Sequence, residues 1–82
     1  MIKRGDKAKG FRFETLSVHW NPQMENFVGV EGIVRQVIPE INELIIAFMV
    51  TNRYEPNMQH WTYPLDQYLV LQREERLKEL GI

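Results

Sequence analysis

The 82-residue chain predicts one mainly β domain, a small antiparallel barrel of four or five strands spanning about residues 3–71 with a short C-terminal helix over 72–80. Three observations lead there. Segments with a two-residue side-chain rhythm recur from residue 7 to residue 71. Gly, Pro and Asn punctuate them as turns. Helical spacing begins only at the far end, where Leu77 and Leu80 stand three apart and Glu74 and Lys78 four apart.

The first strand is "KAKGFRF". Ala8 points one way and Lys7 and Lys9 the other, and Gly10 breaks the parity so that Phe11 and Phe13 share a face. A glycine at such a switch marks a bulge or sharp bend. Residues 14–29 form a long connection around an Asn-Pro turn signal, with Trp20, Met24 and Phe27 packing it back on the body. The second strand, 28–38, sets Val28, Val30, Gly32 and Val34 on one parity. "PEINE" is a turn. The third strand, "LIIAFMVT", is apolar on both faces, which predicts the most buried strand. A homodimer covering Ile45 and Met49 would account for its outer side. Residues 52–58 read as a loop, 59–63 as the fourth strand and 65–71 as a turn and the last strand. The helix then either docks through Leu77 and Leu80 or frays, and Gly81 stands where it stops. The expected core holds Ala8, Phe13, Val30, Val34, Leu44, Ile46, Phe48, Val50 and Leu69.

Composition narrows the function classes. With no cysteine there is no disulfide framework, thiol nucleophile or zinc ribbon, and the absence fits a reducing, cytoplasmic setting. The basic N-terminus lacks the apolar core of a secretory signal, and the longest apolar run, 44–50, is far short of the about 20 residues that span a bilayer. Net charge is −1. Its distribution is uneven. Lys3, Arg4, Lys7, Lys9 and Arg12 stand against Asp6 at one end, while residues 14–66 are acidic. One end attracts an anion and the body repels a long polyanion.

Chemistry has little to stand on. His19 and His60 each precede a Trp, but a metal site needs three or four ligands and no such spacing is present. Ser17 with either histidine lacks a nucleophile elbow, and no phosphate-cradling glycine loop exists. The chain therefore reads as a non-enzyme without cofactor or metal. The aromatic residues say more. Trp61 and Tyr63 share a strand face, and the plainer reading puts both in the core beside Phe48 with the Tyr63 hydroxyl reaching the rim. Exposed with Trp20, Tyr54 and Tyr68, and with Met24 from the loop, Trp61 would form a protein-binding groove.

"RGDKAKGF", "VGVEGIV" and "WTYPLDQYLVL" together resemble the SH3-like barrel plan, with a KOW-like opening and Gly32-Ile33-Val34 step. The pattern "KGFRFE…WNPQMENFVGVEGIV…WTYPLDQYL" is similar to short SH3-like proteins of tailed bacteriophages. That resemblance implies a binding module, a phage accessory protein acting in the host cytoplasm on a host protein. The expected function is protein docking through Trp20, Met24, Tyr54, Trp61 and Tyr68. The alternative is a KOW-like module holding nucleic acid through Lys3, Arg4, Lys7, Lys9 and Arg12. A third reading is a pocket for a small anionic ligand between loop 14–29 and the barrel mouth. The KOW plan is more basic than this acidic body.

Overall fold

The computed structural model describes residues 2–15, 18–51 and 56–81. They form a four-stranded antiparallel sheet in sequence order, β1 (Lys7–Lys9), β2 (Glu31–Ile38), β3 (Glu43–Thr51) and β4 (Pro56–Pro64), followed by one helix, α1 (Leu65–Glu79). Short 3₁₀ turns occupy Pro22–Phe27 and Pro39–Ile41.

β1 is short because Gly10 ends it. A Cβ on Gly10 would lie 2.3 Å from the Phe27 carbonyl oxygen and 2.9 Å from the Tyr63 hydroxyl, so only glycine fits there. The chain then leaves the sheet, and Phe11 and Phe13 both turn into the core while Arg12 stays outside. The long connection folds back as expected. The Asn21 side chain accepts a hydrogen bond from the Gln23 amide at 2.9 Å, starting the turn that buries Met24 and Phe27. Phe27 stacks on Phe48 with ring centres 4.7 Å apart.

β2 starts at Glu31, three residues later than the parity suggested. Val30 spends its amide on the Phe27 carbonyl and is 41% exposed, so it leaves the predicted core. The register slips between Val34 and Gln36, which places Arg35 in a bulge. Gly32 faces inward, where a Cβ would meet the Ala47 carbonyl oxygen at 2.6 Å and the Phe48 ring at 2.8 Å. β3 contributes Leu44, Ile46 and Phe48, all fully buried. Val50 is only half-buried. On the outer face of the sheet Ala47 is buried, but Met49 is 66% and Ile33 45% exposed, so the chain itself does not cover that side. β4 is longer than the predicted 59–63. It pairs with β3 from Glu43↔Pro64 to Thr51↔Pro56, taking in residues expected to be loop. Residues 52–55, the centre of that loop, lie outside the described residues, as do Leu16 and Ser17.

The largest correction concerns residues 65–71. They are the first half of α1, and no fifth strand is present among the described residues. Leu65 and Tyr68, three apart, bury one side of the first turn, while Leu69 is 42% exposed and drops out of the core. The cause is partly non-local. Pro64 at the helix start has no side chain that can cap it. Asn42, in the β2–β3 turn, supplies the cap instead. Its side-chain oxygen accepts from the Asp66 amide at 2.9 Å and its carbonyl from the Leu65 amide at 3.1 Å. Asp66 answers by accepting from the Asn42 side-chain amide at 3.0 Å. Arg76 and Lys78 lie in the last turn, where the helix dipole favours them, and Gly81 takes the left-handed conformation just beyond. Leu77 and Leu80 do not dock. They are 41% and 67% exposed.

Candidate functional site

Tyr63 organises the interior. Its ring lies 5.0 Å from Phe11, 5.6 Å from Phe13 and 6.3 Å from Phe48. The hydroxyl is buried and finds no hydrogen-bond partner among the described residues, and burial pushes its pKa up to about 12. Trp61 sits on the same strand face, half-buried against the core, its indole N–H likewise unpartnered.

The aromatic groove does not assemble as drawn from the sequence. Met24 is 1% and Tyr68 9% exposed, so both pack into the core and neither joins a groove with Trp61. Trp20 is half-buried, edge-on to Phe13 at 5.2 Å, and among the described residues no ring contact joins it to Trp61. Tyr54 lies outside the described residues. His19 is exposed, and His60, also exposed, lies 3.4 Å from the Arg35 Nε.

The basic cluster is split. Arg12 donates through Nε and Nη2 to the two carboxylate oxygens of Glu25, an exposed two-point pair. Those bonds hold Glu25 below the usual carboxylate range and raise Arg12. Lys7 stands 3.9 Å from Glu31. Lys3, Arg4 and Lys9 are exposed and make no ion pair among the described residues. The Lys3 backbone amide donates to Asp6 at 2.9 Å, closing the turn before β1.

Two surfaces absent from the sequence reading emerge. The first is a cleft of about 310 Å³ between β1 and α1. Phe11, Tyr68 and Leu71 supply apolar lining, Lys7 and Lys9 stand along β1, and Gln72 and Glu75 stand along the helix. Burial raises the Tyr68 pKa, and the charges of Asp6 and Glu75 add to the rise. The second surface is α1 beyond its anchored turn. Val70 and Leu77 are two turns apart, and with Leu69 and Leu80 they share one side of the helix, all exposed. Leu71, on another side, is also exposed. The only usable hint of these in the sequence was the Leu77–Leu80 spacing. The cleft exists because α1 follows β4 where a strand was expected.

No family model matches the chain, and neither a curated protein nor a solved structure matches it. Among the described residues no helix is long and apolar enough to cross a membrane. No group of three or more His, Asp or Glu side chains among them is placed to hold a metal ion.

Proposed function

We propose that this chain is a non-catalytic binding module that docks on another protein, with the projecting part of α1 as its contact surface. One observation carries the reading: Leu69, Val70, Leu77 and Leu80 stay exposed together on a helix whose buried residues, among those described, are Leu65 and Tyr68 in its first turns. A run of large apolar side chains left in water is a surface awaiting a partner. The free part of the helix is also short enough to be marginal alone, so a partner that covers it stabilises it as well. The relation to SH3-like phage proteins belongs to this same reading. It rests on the sequence patterns and on the sheet order, a β meander in which α1 stands where the fifth strand of a barrel would.

Affinity capture with the full chain from the lysate of its natural cell tests it. The expected result is a protein that survives nuclease treatment, tolerates added salt and is lost with Leu77→Asp plus Leu80→Asp, exposed changes that leave the fold intact. Nucleic-acid binding is the competing reading, favoured by Lys3, Arg4 and Lys9, which are exposed and make no ion pair among the described residues. It predicts capture abolished by nuclease, and affinity that falls steeply with salt and with Lys9→Ala. That outcome would overturn protein docking.

A further inference from the structure

β1 is an edge strand. Its partner on one side is β2, and among the described residues nothing hydrogen-bonded lies on the other. The direction of its backbone groups follows from its neighbours. The Asp6 carbonyl accepts from the Val34 amide at 2.8 Å and the Gly10 amide donates to the Val30 carbonyl at 3.0 Å, so residues of even number turn toward β2. In an antiparallel ladder alternate residues turn opposite ways, which aims the N–H and C=O groups of Lys7 and Lys9 away from β2, on the side of the cleft. Outside the ladder to β2, no backbone hydrogen bond among the described residues uses those groups. Four main-chain groups therefore lie in a row beside an apolar lining of Phe11, Tyr68 and Leu71, with α1 as the far wall.

We propose that this cleft receives an extended segment of a partner protein as an added strand beside β1, and that the segment alternates acidic, apolar, acidic. This rests on the reading of the chain as a protein-docking module and names what one of its surfaces takes. The backbone row calls for an extended chain, since only a strand presents donors and acceptors at that repeat. β1 is three residues long, which limits the paired stretch to roughly 10 Å. A residue opposite Ala8 points to the inner face, toward the rings of Phe11 and Tyr68, and should be apolar. Residues opposite Lys7 and Lys9 share the outer face with those lysines. Glu31 lies across the ladder from Lys9, yet its carboxylate makes its ion pair with Lys7, which leaves Lys9 unpaired. A carboxylate in the incoming strand supplies that charge. Glu75 on the helix wall disfavours acidic residues on the inner side, so the acids are confined to the outer one.

Short synthetic peptides centred on Asp-Leu-Asp, Lys-Leu-Lys, and Asp-Leu-Asp N-methylated on both aspartate amides test this by amide NMR on the isotope-labelled full chain. The acidic peptide should bind and slow hydrogen exchange of the Lys7 and Lys9 amides at least tenfold. The Lys-Leu-Lys peptide should bind at least tenfold more weakly, and Lys9→Glu should reverse that preference. N-methylation of both aspartate amides should abolish binding, because the residues opposite Lys7 and Lys9 are the ones whose amides face β1. Binding without protection of those two amides, equal affinity for the two charge patterns, or no binding by any peptide overturns the proposal. If the peptides fail while a captured protein remains sensitive to Leu77→Asp plus Leu80→Asp, this inference falls and protein docking stands. If both fail, both fall.

Discussion

Tyr63 and Gly10 meet at one point in the core, and each limits what the other can be. The Tyr63 hydroxyl lies over the Gly10 backbone, buried and unpartnered among the described residues. An unsatisfied buried hydroxyl carries a desolvation cost without the bond that offsets it. Tyr63→Phe should therefore raise stability by about 1 kcal/mol in urea unfolding at neutral pH. The same variant should change the alkaline limb. Tyr63 in the folded chain holds its proton up to about 12, above the ordinary tyrosine value near 10. The native state thus binds that proton more tightly than the unfolded state. This contribution is complete below pH about 10 and is lost as pH climbs toward 12. Tyr68 is raised too and acts in the same direction. Tyr63→Phe should shrink the loss of stability between about pH 10 and about 12 without removing it; an unchanged loss would contradict this assignment. Gly10→Ala should be among the costliest single changes. A Cβ 2.3 Å from a backbone oxygen forces main-chain movement, and overpacking of this kind costs about 1–3 kcal/mol or more.

At the level of elements, what was legible depended on how local its causes are. β2, β3 and β4 declared themselves through alternation, and Leu44, Ile46 and Phe48 fell on the buried face as read. Gly10 announced a bend because parity changed across it. The stretch 65–71 misled because Leu65, Gln67, Leu69 and Leu71 alternate with Tyr68 and Val70 in a way that suits a strand, while Leu65 and Tyr68 are equally spaced for a helix. Asn42 is 24 residues distant from the helix it caps, and no window of sequence joins the two. The cleft was illegible for the same reason, since it depends on which element faces β1. Asn42 gives this account its test at element scale. Asn42 adopts φ 56°, so Asn42→Ala loses both the cap and a residue at ease in the left-handed region. It should cost about 2 kcal/mol in thermal or urea unfolding. Asn42→Gly keeps the backbone conformation and loses only the side-chain cap, so it should cost less. Asn42→Gly as stable as the parent chain would show that capping of α1 by this turn contributes little.

The whole molecule is an open sheet with one face packed and one face bare. The turn Pro22–Phe27 and the first turn of α1 lie on the inner face, and Met49 and Ile33 remain exposed on the outer. Because α1 takes the place of a fifth strand, β1 keeps a free edge and the helix projects, and both candidate surfaces follow from that one substitution. The aromatic residues that suggested a groove in the sequence mostly build the interior instead, as Tyr63, Tyr68 and Phe27 do. The most direct measurement is therefore of residues 65–79 and β1 together, by backbone NMR of the free chain. This account predicts helical carbon chemical shifts from Leu65 through Glu79 and rapid exchange of the Lys7 and Lys9 amides, with the Ala8 amide protected. Strand-type shifts over 67–71, with cross-strand contacts to β1, would contradict it.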